Sequence, residues 1–457
     1  MPRLPSLLEQ TLSALTRRYR LPELDVDSAD RQKLSPDTAV AIAIERVRVA
    51  TAARAALNAT LNHDFCESLA RLIEAVVHPQ TGEAVYQAAI LRYREATVRE
   101  YAALSSHAER DRRLIHAAFN TIAHPARLQR MAAGTLREAL TRLYASAMSS
   151  SWIEFEDGAR RLLEASASDG EAPVRQRIQR LLDSEPLTRL QRLQALEADQ
   201  LVRRYRSLWE QQGPVSGSAA AAEQGIASKQ RGDEIEALAA GALRALAERL
   251  EREDPPMTYR VVTSLRVPAS LPSSHEHAKT EWDVVLLQHA AAADETSVWD
   301  IALLLEAKAS VHAASTDFPR LLRGLRLLAA ADESTVYVFP TRESAVRISG
   351  ASLSALSSET NRLADAVLYC CDASADAAPR LLNAANRMHL LLAPASLAYA
   401  STMMEAGRPD AATLEPVWRD LLESPRWSIV LDQYPMLQQV RELTVHIDDL
   451  LAAIKTS

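Results

Sequence analysis

Two apolar runs lie close together in the second half of the chain, and each carries charge at one end. Residues 281–288 read EWDVVLLQ, and residues 298–310 read VWDIALLLEAKAS. Short, continuous apolar runs of this kind, bounded by polar segments, predict strands covered on both faces. Yet Asp283 heads the first run, and Glu306 and Lys308 close the second. Charge withdrawn from water is expensive unless it is paired, bound to a metal or used in chemistry. These three residues therefore constrain the chain more than any other feature.

The surrounding pattern supplies a frame for them. RGDEIEALAAGALRALAERLERE has helical periodicity, and YRVVTSLRVP alternates in the manner of a strand. After the two charged strands, TDFPRLLRGLRLLAAA predicts an amphipathic helix from near Thr316, TVYVFP a strand and ADAVLYCC another. The order from Lys229 to Pro340 is thus helix, three strands, helix, strand. The tail from Ala411 returns to helix, through MLQQVRELTVHIDDLLAAIK.

Residues 1–210 read as helices almost throughout, cut into about seven by Pro79, Pro125, Pro173 and Pro186. The small-residue stretch QQGPVSGSAAAAEQG, from Gln211 to Gly225, predicts a linker. The expected fold class is α+β and multidomain. A helical domain over 1–212 and a linker over 213–228 precede an α/β domain over 229–400 and a C-terminal helical segment over 401–457.

Composition narrows the function classes. The net charge of −7 excludes a strongly basic nucleic-acid coat protein but permits a local basic groove. Only five lysines occur, so arginine dominates the basic residues. No apolar run approaches the ~18 residues of a membrane span, and the N-terminus is too polar for a secretory signal; a cytoplasmic protein without a membrane partner is expected. Cys66, Cys370 and Cys371 are too few for a disulfide framework and read as buried thiols.

Strand alternation puts Glu306 and Lys308 on one side, with Ala307 between them. If the two charged strands are antiparallel neighbours, Asp283 joins them at one sheet margin. Two carboxylates with the Ala307 carbonyl would make a hard oxygen site suited to Mg²⁺ or Mn²⁺. A lysine beside the ion would supply a point charge for an attacking water and for developing phosphoryl charge.

The spacing D283-x22-E306-A-K308, set in that element order, resembles the D…(D/E)-x-K signature of the PD-(D/E)XK nuclease superfamily. The resemblance covers about residues 229–340. It implies a restriction-endonuclease-like domain with a mixed sheet and an α-β-β-β-α-β core. It further implies that Asp283 and Glu306 are metal ligands, that Lys308 orients the attacking water, and that Glu236 on the leading helix binds a second metal or that water's shell. The implied activity is Mg²⁺- or Mn²⁺-dependent hydrolysis of phosphodiester bonds, with DNA the expected partner in a defence, restriction or recombination context. Arg320, Arg323 and Arg326, where the superfamily often carries a Gln-x-x-x-Tyr pair, are candidate phosphate contacts. Two alternatives stay open: an RNA-directed nuclease, and a catalytically silent nuclease-like domain in a binding or scaffold protein whose helical half recruits a partner.

Other features have plainer readings. Glu281 fits a solvated strand entry. His275, Glu276 and His277 alternate like metal ligands but lack a third partner. His312 extends the face of Glu306 and Lys308 beyond the strand. Arg203, Arg204 and Arg206 read as surface.

Overall fold

The strand that ends beside Glu306 is the spine of a seven-stranded mixed sheet. The computed structural model describes residues 6–21, 34–55, 58–78, 82–165, 172–211, 218–272, 276–289, 297–356, 360–376 and 379–456. The chain divides into two units. One comprises Met1–Leu72, Ser216–Leu390 and Leu414–Ser457; the other comprises Ile73–Val215 with Leu391–Thr413. This differs from the expected boundaries, because the first 72 residues and most of the tail belong with the sheet rather than with separate helical segments. Leu8 and Leu12 show why: both are buried in the core on one face of the sheet.

The elements of the sheet-bearing unit that frame the site are helices α1 (Ser6–Ser13) and α2 (Ala219–Glu253) and strands β1 (Thr258–Arg266), β2 (Glu281–His289) and β3 (Val298–Ala307); the helices Pro36–Ala52 and Ala59–Val77 come between α1 and α2 in sequence. Helix α3 (Val311–Ala329), β4 (Val336–Pro340), β5 (Ala345–Ser349) and β6 (Val367–Cys371) come next; after shorter helices, helix α4 (Gln433–Leu443), β7 (Thr444–His446) and α5 (Ile447–Thr456) end the sequence of elements. The helix, three-strand, helix, strand order expected between Lys229 and Pro340 is the observed one. β1, β2 and β3 form an antiparallel meander. The first part of β3 then pairs in parallel with β5, and its last part pairs in parallel with β6. The end of β3 therefore lies between β2 and β6, with no free edge.

Apolar side chains leave β3 in both directions. Leu304 joins a core with Phe318, Leu321 and Leu325 of α3. Leu303 and Leu305 join a second core with Leu243 and Leu246 of α2 and Leu450 of α5. Helices cover both faces, so the continuous apolar runs are explained by double-sided burial.

Several local expectations need correction. The segment read as linker is helical from Ala219; Ser218 caps it by accepting the Ala221 N–H at 3.2 Å, and the alanines that follow are strong helix formers. Residues 213–217 of that segment lie outside the described residues. Helix α3 begins at Val311 rather than near Thr316, because Ser310 accepts the Ala313 N–H at 3.2 Å. The expected C-terminal helix is broken by β7, whose three buried residues pair with β6. Strand β5 has no counterpart in the sequence reading.

The other unit is helical among its described residues. Phe119, Phe155, Trp152 and Leu187 lie in its larger apolar core, and Asp111, buried there, forms a bidentate pair with Arg189 at 2.7 Å. Residues 6–210 hold eleven described helices across the two units, against the seven expected.

Two backbone features shape the margin of the sheet where Asp283 and Glu306 lie. Ser264 has φ of 51° and falls opposite Asp283, between the Thr263–Val284 and Leu265–Trp282 pairs. A non-glycine residue in this left-handed region is strained. Gly324 allows α3 to approach the start of β2: a Cβ there would lie 2.7 Å from the Lys279 Cβ and 2.9 Å from its carbonyl oxygen. Gly324→Ala should therefore lower stability by about 1–3 kcal/mol, the usual range for overpacking. Denaturant melts check this, and unchanged stability would show that the α3–β2 contact is loose.

Candidate active site

The antiparallel register sets Val284 against Leu305, which puts Asp283 opposite Glu306. The backbone fixes both. The Asp283 Oδ2 accepts the Ala307 N–H at 2.9 Å, and the Glu306 Oε1 lies 3.4 Å from the Asp283 N–H. Lys308, just beyond β3, places its Nζ 3.3 Å from Glu306 Oε2 and 3.9 Å from Asp283 Oδ2. The three sequence candidates are thus brought together by strand pairing.

Three further side chains complete the cluster. Lys279, four residues before Asp283, sets its Nζ 2.5 Å from Glu306 Oε2 and 4.0 Å from Asp283 Oδ1. Asp317, on the second turn of α3, lies 3.5 Å from Lys308 Nζ. The Tyr369 hydroxyl donates to Asp317 Oδ2 at 3.2 Å from β6, whose register places Tyr369 beside Glu306. The sequence reading missed all three. A signal for Lys279 was present: lysine is rare in this arginine-rich chain, and two of its five lysines meet at one carboxylate.

Burial governs the electrostatics. The Glu306 side chain is fully buried; desolvation, and then the charge of Asp283, push its carboxyl up to about 8 despite two neighbouring ammoniums. For Lys308 the balance runs the other way. Burial opposes its charge, but Glu306, Asp283 and Asp317 outweigh it and hold the ammonium above its ordinary value. Burial, then Asp317 and Glu306, keep the Tyr369 phenol protonated as a donor.

Glu236 approaches from α2. Burial raises its carboxyl above the usual range against the pull of Arg342, and the charge of Asp283 adds to the rise. Its Oε1 is 3.1 Å from the exposed Arg342 Nη2, yet it accepts no hydrogen bond. That leaves a buried carboxylate oxygen with an electrostatic neighbour and an unused lone pair.

The remaining candidates disperse. Arg320, Arg323 and Arg326 are exposed along α3, and Arg323 is engaged through its Nε with the His277 carbonyl at 2.8 Å. Glu281 pairs with Arg266 at 3.5 Å in a solvated contact, as expected of a strand entry. His312 is exposed on the first turn of α3, and the solvated side chains of Glu276 and His277 lie 3.5 Å apart; His275 lies outside the described residues. Arg203, Arg204 and Arg206 are exposed, and Cys66, Cys370 and Cys371 are buried free thiols.

Donor chemistry at the margin suits a divalent cation. Asp283 and Glu306 present hard oxygens whose mutual repulsion adds to burial in raising the Glu306 carboxyl, and Glu236, with an unbonded oxygen, lies within electrostatic reach of Asp283. Among the described residues no three His, Cys, Asp or Glu side chains form a ready-made metal cage. An ion would be held by Asp283 and Glu306, with Lys279 now against Glu306.

A pH dependence follows for the metal-free protein. Because the folded carboxyl of Glu306 sits above its ordinary 4.5, its stabilising contribution is complete below that value and is lost as pH rises through about 8. Glu306→Gln, which cannot ionise, should escape this loss. In the presence of a chelator, the variant should gain on wild type by up to about 1.4 kcal/mol per pH unit across that window. A stability difference independent of pH would show that Glu306 is ionised throughout. Comparison of the chain with family models, curated proteins and solved structures finds no match.

Proposed function

We propose that this protein is a divalent-metal-dependent nuclease of the PD-(D/E)XK type, hydrolysing phosphodiester bonds with Asp283, Glu306 and Lys308 at its centre. The observation that carries the reading is the convergence of these three side chains through one antiparallel register at the closed end of β3. The superfamily signature requires two carboxylates and a lysine within reach of one another. Two-residue spacing alone brings Glu306 and Lys308 together, and the β2–β3 register adds Asp283 to them.

Hydrolysis joins a water oxygen to phosphorus and breaks the bond from phosphorus to a sugar oxygen. Bound Mg²⁺ or Mn²⁺ would supply Lewis acidity at the phosphoryl oxygens and lower the pKa of the attacking water. The protein's own contribution is positional. Asp283 is pinned by the Ala307 N–H, so the pair of carboxylates keeps its spacing. Lys308 is held charged and aimed by three carboxylates, which suits it to orient water and to stabilise negative charge on phosphorus. Glu236 extends the acidic surface from α2. The exposed arginines of α3 lie on the helix that carries Asp317, where they would track a phosphate backbone. DNA is the substrate proposed first, and RNA is the alternative that the same chemistry serves.

One observation favours a second reading, a silent domain within a binding protein: Lys279 occupies Glu306 Oε2 at 2.5 Å. Two substitutions separate the readings. Glu306→Ala removes a ligand and should abolish both Mn²⁺ binding and cleavage. Lys308→Ala leaves the ligands and should retain Mn²⁺ while cutting the rate by roughly 10²–10³, the effect of losing one electrostatic stabiliser. Assays on supercoiled, linear and single-stranded DNA and on RNA provide the readout. Cleavage by Lys308→Ala at the wild-type rate would remove the nuclease assignment, and no cleavage by wild type on any form would favour the silent domain.

A further inference from the structure

The second lysine is not required by the chemistry just described, since Lys308 already supplies a charged ammonium beside both carboxylates. Lys279 is nevertheless the more deeply buried of the two, with its side chain 5% exposed against 17%. Its Nζ bridges Glu306 Oε2 and Asp283 Oδ1, the pair that would hold a metal. Glu306 Oε2 is also the oxygen that Lys308 contacts, so two ammoniums crowd one carboxylate oxygen.

Charge balance makes the crowding informative. With Glu306 ionised, as a metal ligand must be, the cluster of Asp283, Glu306 and Asp317 with Lys279 and Lys308 carries one net negative charge. A divalent ion replacing the Lys279 ammonium would bring it to neutrality. The same ion added beside Lys279 would leave an uncompensated positive charge in a buried site, which is strongly unfavourable. Glu236 does not alter the count, because Arg342 accompanies it.

Lys279 is anchored at the base of its side chain, and its ammonium is held by the carboxylates. Its backbone N–H donates to the Arg320 carbonyl at 3.3 Å, and its Cβ and carbonyl pack against Gly324. Three methylenes separate the anchored Cβ from Nζ, and the ammonium already lies 5.8 Å from the Trp282 ring centroid, where a cation is tolerated.

We infer that Lys279 is a built-in counter-cation that holds the metal position on Glu306 and must be displaced for a divalent ion to load. This inference rests on the metal-dependent reading of the site. It assigns the two lysines different tasks: Lys308 serves the reaction, and Lys279 sets how readily the ion enters. The lysine thus keeps the carboxylates paired and folded without metal, at the expense of metal affinity.

Calorimetric titration of wild type and Lys279→Met with Mn²⁺ alone tests it. Lys279→Met should bind Mn²⁺ roughly tenfold or more tightly than wild type, with circular dichroism confirming that it folds. Lys279→Gln provides the same comparison should the methionine variant fail to fold. In wild type, saturating Mg²⁺ should raise the reactivity of Lys279 toward an amine-modifying reagent, read by mass spectrometry, as its ammonium leaves the carboxylate. Equal or weaker Mn²⁺ binding by the folded variants, or a Lys279 that stays protected in saturating Mg²⁺, overturns the inference and leaves the metal site standing. Absence of Mn²⁺ binding in wild type and variants alike overturns both.

Discussion

The full burial of the Glu306 carboxylate is the constraint on which the site depends. An ion in that position costs several kcal/mol of lost hydration, which only close partners can offset. Lys279 and Lys308 provide part of the offset, leaving the carboxyl raised to about 8, and each needs support of its own. Lys308 is steadied by Asp283 and Asp317, Asp317 by the Tyr369 hydroxyl, and Lys279 by its backbone contact with α3. Five elements, β2, β3, α3, β6 and the segment before β2, are thereby tied to one carboxyl group. Apolar residues of similar volume would serve stability as well or better, because buried ionic clusters seldom add to it. Such a cluster at a sheet margin is better explained by chemistry than by folding.

The scaffold explains how the margin is kept in register. β3 pairs with β5 through Val298 and Trp299 and with β6 through Leu304 to Ala307, so the end that carries Glu306 is hydrogen-bonded on both sides. Cores above and below, built around Leu304 on one face and Leu303 and Leu305 on the other, prevent the strand from slipping. A slip of one residue would send Glu306 to the opposite face. The positive φ of Ser264 opposite Asp283 shows local strain at the same place. Strained backbone persists where surrounding structure over-determines it, and functional margins are where it concentrates.

Much of this was legible in the sequence where the signal was local. Period-two alternation and the charges closing the apolar runs placed Asp283, Glu306 and Lys308 together, because strand geometry converts spacing into facing. Glu236 came from the resemblance alone, by its match to the glutamate of the superfamily's leading helix. Lys279 and Asp317 were not legible, since one lies in an irregular segment before β2 and the other on a helix whose start was set too late. The amphipathic pattern begins near Thr316, whereas the Ser310 cap adds about a turn and a half before it. Strands β5 and β7 are short, and β7 follows a helical pattern without a break. The unit boundaries escaped for a different reason: the N-terminal helix packs on residues more than two hundred positions away, a pairing that no local pattern encodes.

The most direct test is anomalous diffraction from crystals soaked in Mn²⁺. The account predicts a peak at the carboxylates of Asp283 and Glu306, with the Lys279 ammonium withdrawn from Glu306. Saturating Mn²⁺ with no peak at these carboxylates, or a peak only at other acidic residues, would contradict a metal-dependent site at the end of β3.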